Sequence, residues 1–315
     1  MIRIFCNRKT SAFLFGCSLT FLIFFERFCQ ERSKIFAAVA IIFLIFEAIK
    51  IFKQKLAIMK KSLCSLIVLA GSISIAVAQQ TAKHEDTEFY SPVPPTVKPA
   101  PVQTAPPPSD AIVLFDGKNL NDWVTTDDTT KPATWNVSEG VMTVNKTGGN
   151  IQTRQSFQDY QLHIEWRIPK NISGEGQARG NSGLFLASIG KGDAGYELQI
   201  LDNYNNPTYV NGQAGSIYKQ FAPLVNANLP PGEWQAYDVA WKAPRFNDDG
   251  SVLTPAHVTV YFNGVLVQNN TELKGATLYV GQPSYQKHGP APIKLQAHGD
   301  KSEPISFRNI WIRPA

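Results

Sequence analysis

The chain has 315 residues, with 30 Lys/Arg, 25 Asp/Glu and 4 Cys, and a formal charge of +5. The positive excess and all the cysteines fall in residues 1–78, which carry 11 Lys/Arg against 3 Asp/Glu; the rest of the chain carries 19 against 22. Nucleic-acid binding needs a basic patch on the folded domain, and disulfides or thiolate metal sites need cysteines there, so all three are excluded from residue 79 onward.

Residues 1–58 hold two apolar runs, 12–25 and 35–46, rich in Phe and Ile and bounded by charges. Each is shorter than the ~20 residues of a membrane-spanning helix. The stretch reads as a start extended upstream of Met59; the competing reading is a pair of short hydrophobic segments able to associate with an envelope. From Met59 the pattern is that of a signal peptide over residues 59–78. Lys60 and Lys61 precede an apolar run from Leu63 to Val77, and Ala76-Val77-Ala78 forms a small-residue cleavage site before Gln79. Export to the periplasm or the exterior is the expectation. Cys64 lies at the start of the apolar run and not after it, so no lipid anchor is expected.

Residues 79–110 read as a Pro-rich linker. Pro92, Pro94, Pro95, Pro99, Pro101, Pro106, Pro107 and Pro108 oppose helix and sheet pairing and favour an extended polyproline II path. Such a segment would hold the following domain off an envelope or a partner.

From Ala111 to Ala315 the period changes to two. Tyr160, Leu162, Ile164, Trp166 and Ile168 alternate with polar residues, as do Val258, Val260 and Phe262, which run into Asn263-Gly264. Asn-Gly between β-rich runs predicts a tight hairpin. Further short runs predict strands at 112–115, 135–137, 141–144, 183–187, 196–201, 237–241, 293–298 and 307–312. Many short strands separated by Gly, Pro and Asn predict one all-β sandwich or jelly roll. Trp123, Trp135, Trp234 and Trp241 are expected mostly in its core.

Two of these strands carry an unusual polar face. In Gly195-Tyr196-Glu197-Leu198-Gln199-Ile200-Leu201-Asp202, Glu197 and Gln199 share the side opposite Tyr196, Leu198 and Ile200, and Asp202 ends the strand. In Ile293-Lys294-Leu295-Gln296-Ala297-His298-Gly299, His298 shares a side with Gln296 and Lys294. Amide and carboxyl groups bind sugar hydroxyls, and Glu and His move protons. Arg179 and Asn181, in a Gly-rich loop, offer donors for an oxyanion or a carbonyl oxygen. Tyr218 and Lys219 offer a stacking ring and a cation. The competing reading of each is ordinary: a solvated strand face, a structural histidine, turn chemistry, a strand edge. Phosphate-loop, HExxH and GxSxG motifs are absent, and His163, His257, His288 and His298 are too scattered to form a metal set.

In order, the runs LFDGKNLNDW, GNSGLFL, YELQILDN, GQAGSIY, PGEWQAYDV, FNGVLV and HGPAPIKLQAHG, then FRNIWI, resemble the 3-keto-disaccharide hydrolase domain family over residues 110–315. The resemblance implies a concanavalin/laminin-G-like jelly-roll β-sandwich with its site on the concave face. It also implies an exported bacterial enzyme acting on glycosides oxidised at C3. The family's Tyr-Glu-x-Gln motif falls on Tyr196, Glu197 and Gln199, its strand-end Asp on Asp202, its Asn-Ser-Gly on Asn181, Ser182 and Gly183, and its His-Gly on His298 and Gly299. Position 297 departs from the family, with Ala where Asp is usual.

On this resemblance Glu197 and His298 are the catalytic pair, in either order of acid and base. Arg179, Asn181, Gln199, Asp202, Tyr218, Lys219 and Gln296 are the substrate-binding set. The expected partner is an oligosaccharide or glycoside. No cofactor is expected, but a structural or site Ca²⁺, which such sandwiches hold through carboxylates and carbonyls, stays open, although no compact acidic loop stands out. Two rivals stand beside this reading. One is a direct retaining glycosidase on a laminarinase-like fold, which would pair Glu197 with Asp202 and needs its two carboxyls ~5–5.5 Å apart. The other is a non-catalytic carbohydrate-binding module.

Overall fold

The structure, a computed structural model, describes residues 45–56, 82–104, 106–299 and 303–315. The expected signal peptide at 59–78 and residues 1–44 lie outside them. Residues 45–56 form a helix, and no helix among the described residues is long and apolar enough to cross a membrane. The chain divides into two units, Met1–Thr81 and Ala82–Ala315.

The second unit is built from strands β1 (Ile112–Phe115), β2 (Trp123–Thr125), β3 (Asn136–Ser138), β4 (Val141–Thr143), β5 (Ile151–Thr153), β6 (Tyr160–Arg167), β7 (Ser182–Ser188), β8 (Gly195–Ile200), β9 (Trp234–Lys242), β10 (Arg245–Phe246), β11 (Val252–Thr254), β12 (His257–Phe262), β13 (Val265–Glu272), β14 (Lys294–Leu295) and β15 (Ser306–Pro314). The larger sheet runs β13-β12-β9-β6-β15-β4-β3, with β1 also on β15; the smaller runs β2-β5-β14-β7-β8, and β10 pairs with β11. The strand pairings are antiparallel. This is an all-β jelly-roll sandwich.

The alternation in the sequence sets the packing. Leu162, Ile164 and Trp166 of β6 and Tyr237 and Val239 of β9 meet Leu184, Leu186, Leu198 and Ile200 of the smaller sheet in one buried core. Two tyrosines cross that core. Tyr160 Oη donates to Leu186 O at 2.6 Å and Tyr237 Oη to Gln199 O at 2.7 Å. Each hydroxyl is satisfied where an unpaired one would be costly, and each ties the larger sheet to a site-bearing strand. The hairpin forms as predicted: Asn263 (φ 51°) and Gly264 (φ 78°) both take the left-handed conformation of a type I′ turn between β12 and β13.

The structure departs from the sequence expectation at three places. The strand expected over 293–298 is regular only at Lys294–Leu295; Ile293 O still accepts from Thr153 N and Gln296 N still donates to Gly183 O, and the ladder ends at Ala297, whose N donates to the Asn150 side chain (2.8 Å) instead. Trp123, Trp135 and Trp241 are buried, but Trp234 is only half-buried. It lies under two guanidinium groups, of Arg167 (4.5 Å) and Arg308 (4.0 Å). Third, the Pro-rich segment does not stand clear of the domain. Val97 N donates to Asn226 O (2.9 Å) and Asn226 N to Pro95 O (3.0 Å). Thr104 Oγ1 donates to Glu165 Oε2 (3.0 Å). Prolines lack N–H donors, so the contacts fall on the residues between them and on Pro carbonyls.

Candidate active site

A cavity of about 640 Å³ opens on the smaller sheet, lined by residues that include Gln177, Asn181, Asp193, Glu197, Gln199, Tyr209, Tyr218, Thr277, Gln296 and His298. Its floor is β8. Register pairs Glu197 with Phe185 and Gln199 with Gly183 of β7. Both side chains are turned away from the core, yet they are buried, with 5% and 1% of their surface exposed. They are the base of an enclosed site and not a solvated sheet face.

Glu197 is the most perturbed carboxyl of the cavity. Burial pushes its pKa up to about 8, the nearby Asp193 adds to this, and Lys294 opposes it. Lys294 is itself fully buried. Its amine donates to Gly190 O (3.1 Å), Gly192 O (2.8 Å) and Ala194 O (2.8 Å) and lies 4.8 Å from the Phe185 ring. It thereby pins the turn that carries Asp193. Burial lowers its pKa to about 8, against the pull of Asp193 and Glu197. At neutral pH Glu197 is thus a protonated carboxyl, a proton donor by default.

Gln199 places its amide between Glu197 Oε1 (3.2 Å) and Gln177 Oε1 (3.1 Å). An amide has one donor end, so its NH₂ serves one oxygen while its own oxygen faces the other. The NH₂ end belongs on the Glu197 side, where it donates to Glu197 Oε1 and also to Ser182 O (3.0 Å); the opposite orientation would set the amide oxygen against that carbonyl. Asn181 Nδ2 donates to Gln177 O (2.8 Å), holding the Gly-rich loop against the cavity. Gln296 is anchored by its backbone, its N donating to Gly183 O (3.0 Å) and its O accepting from Ser182 Oγ (2.8 Å). Among the described residues its buried Oε1 has no hydrogen-bond partner, which leaves an acceptor at the cavity wall. His298, half-buried, follows where the chain leaves the sheet. Asn150 bridges this turn to the opposite wall, accepting from Ala297 N (2.8 Å) and donating to Asp193 Oδ1 (2.9 Å). Tyr218 Oη and Tyr209 Oη share a hydrogen bond of 2.7 Å.

Six of the nine residues expected from sequence meet in the cavity: Glu197, His298, Asn181, Gln199, Tyr218 and Gln296. Three do not line it. Arg179 Nε and Asp202 Oδ2 form an ion pair at 2.7 Å, with 21% and 1% of their side chains exposed. Each is consumed by the other, and Asp202 also accepts from Tyr204 N (3.0 Å). Lys219 is buried and directs its amine into the N-terminal segment, donating to His84 O (2.6 Å) and Tyr279 O (2.9 Å) and pairing with Glu88 (3.3 Å). Among the described residues no group of three or more His, Cys, Asp or Glu comes together in a way that could hold a metal ion.

Sequence reading missed Gln177, Asp193, Tyr209, Thr277 and Tyr279, together with His84, Glu88 and Tyr90 from the supposed linker. Gln177 sits in the same Gly-rich loop as Asn181 and carried a signal. Thr277 carried none; it accepts from Glu197 N (3.0 Å) only because the chain folds back over β8.

The sequence profile of the 3-keto-alpha-glucoside-1,2-lyase-like domain matches residues 110–313. The chain belongs to this family. Two relatives extend the comparison. A Bacteroides thetaiotaomicron protein named 3-keto-disaccharide hydrolase is 28% identical over 171 residues, covering 44% of this chain and 56% of that protein. The chain therefore spans little more than half the length of that relative. A crystal structure of a candidate glycosyl hydrolase from Parabacteroides distasonis is 55% identical, covers 74% of this chain and 97% of that one, and superposes with a TM-score of 0.63. The lyase-like domain begins at residue 110, so the 84–90 segment of the cavity wall lies outside it.

Proposed function

We propose that this protein cleaves 3-keto-glycosides, 3-keto-disaccharides among them, by elimination followed by hydration. The observation that carries the reading is the buried Glu197, whose carboxyl pKa burial raises, in one cavity with His298. A ketone at C3 acidifies the C2 hydrogen. His298 takes that proton, and the electron pair forms an enolate whose oxygen the amides of Gln199 and Asn181 stabilise. The C1–O bond breaks as the double bond moves to C1–C2, and Glu197 protonates the departing oxygen. Water then adds, hydroxyl to C1 and proton to C2, giving two free sugars and restoring both groups. Asp193, tied to Ala297 through Asn150, brings a carboxyl group to the wall beside Ala297, where Asp is usual in the family. Export through residues 59–78, to the periplasm or the exterior, belongs to the same proposal.

The direct retaining glycosidase has less support, because Asp202 is paired to Arg179 and does not line the cavity. The deciding experiment incubates the protein with matched 3-keto and unmodified disaccharides and follows sugar release. Release from the keto form alone is the expected outcome. Release from the unmodified form establishes the glycosidase, and binding of either without release establishes the binding module.

A further inference from the structure

We propose that residues 84–90, which precede the family domain, complete this cavity as the subsite for the departing sugar, with Tyr90 as its stacking ring and Glu88 as the group that orients that ring. The proposal rests on the elimination reading for the word "departing", but the subsite itself stands on geometry.

The segment is built in, not draped. Asn211 Nδ2 donates to Thr87 O (2.8 Å), Phe89 N donates to Asn211 Oδ1 (3.0 Å), and Val210 N donates to Phe89 O (2.6 Å). The buried amine of Lys219 grips it at His84 O and Glu88. Lys219 holds φ at 58°, a left-handed conformation that is unfavourable for a residue with a Cβ. A disordered leader would not be met by a strained, desolvated lysine.

What the segment presents is sugar-binding chemistry. Tyr90 is 66% exposed at the cavity rim, yet its ring is oriented: Oη donates to Glu88 Oε2 (3.0 Å), and the ring stands edge-on to Tyr209 at 6.4 Å. An exposed, oriented ring offers a flat apolar surface to the C–H face of a sugar. The Glu88 side chain is 6% exposed, and its carboxyl is held below the ordinary range; burial opposes this, but His84, Tyr90 and Lys219 outweigh it. Its Oε1 lies 3.0 Å from His84 Nδ1 and 3.3 Å from Lys219 Nζ, and its Oε2 takes the Tyr90 hydroxyl, so Glu88 ties the ring to the wall. Depth orders the site. Glu197 and Gln199, almost fully buried, define the reacting end, and the exposed Tyr90 lies toward solvent, where a leaving group departs.

The test compares Tyr90→Ala and Tyr90→Phe with the unaltered protein on a 3-keto-disaccharide and on methyl 3-keto-glucoside, whose leaving group is too small to reach the segment. Losing a stacked ring is expected to lower the disaccharide-to-methyl ratio of kcat/KM roughly tenfold in Tyr90→Ala, mostly through KM. Tyr90→Phe, which keeps the ring, should retain most of the ratio. An unchanged ratio in Tyr90→Ala, or an equal loss on both substrates, overturns the subsite and leaves the elimination reading standing. Calorimetric binding of the unmodified disaccharide separates the two ideas. Affinity that falls in Tyr90→Ala, in a protein that turns over neither keto substrate, keeps the subsite and sinks the chemistry. Absence of both binding and turnover in the unaltered protein sinks both.

Discussion

Gly183 leaves the space that the Glu197 carboxyl occupies. A Cβ on Gly183 would lie 2.5 Å from Glu197 Oε1 and 3.1 Å from its carboxyl carbon. The two residues are on adjacent strands, β7 and β8, at diagonal positions of the same face. Gly183→Ala is therefore expected to drive the carboxyl out of its place. A core-like overpacking of this kind costs about 1–3 kcal/mol. Turnover of a 3-keto-disaccharide should fall further than the shift in melting temperature accounts for, because an acid displaced by ~1 Å is badly aimed. Full turnover in a folded Gly183→Ala protein would show that Glu197 is not the acid.

The pH dependence of activity follows from the same carboxyl. Glu197 is protonated below about 8, and only the protonated form can give a proton to the leaving oxygen. The kcat/KM of the free enzyme should thus decline as pH rises through about 8. Glu197→Gln should lose about 10²–10⁴-fold in kcat and abolish that alkaline limb in whatever activity remains. An alkaline limb that survives the substitution would have to belong to another group, Lys294 being the first to consider.

Stability should answer to the Arg179–Asp202 pair. Asp202→Asn leaves the Arg179 guanidinium beside a neutral group in a largely buried setting. The cost is expected at about 1–3 kcal/mol, less than for a fully buried pair because part of Arg179 reaches solvent. Since neither residue lines the cavity, the KM of the folded fraction should stay within about twofold of normal. Denaturant unfolding together with steady-state kinetics checks both halves.

A second pH effect arises on the outer face of the larger sheet. His163 lies between Asp238 (2.7 Å) and Glu165 (3.4 Å). Burial opposes its charge, but the two carboxylates outweigh it and raise its pKa to about 9. A base whose folded pKa exceeds its unfolded value stabilises fully below about 6.5 and loses that contribution as pH rises through about 9. The stability difference between the unaltered protein and His163→Gln should accordingly be largest below pH 6.5 and shrink toward pH 9. Melting curves across that range supply the measurement; a difference that is constant with pH would remove His163 from the charged state.

The sequence by itself determined the sandwich, because period-two alternation decides which side of a strand enters the core, and Asn263-Gly264 allows only a tight turn. It also determined that Glu197 and Gln199 share a face, since that is a property of one strand. What it could not settle was anything set by a partner distant in the chain. Burial turned a polar strand face into a cavity floor and made Glu197 an acid near neutrality. Arg179 and Asp202, read as substrate ligands, found each other across 23 positions. Lys219 found Glu88 instead of the cavity. The segment before residue 110 was read from its prolines, which mark an extended path but not the surface that path follows. Only the fold, by setting Asn211 and Lys219 beneath His84–Phe89, made that path a wall of the site.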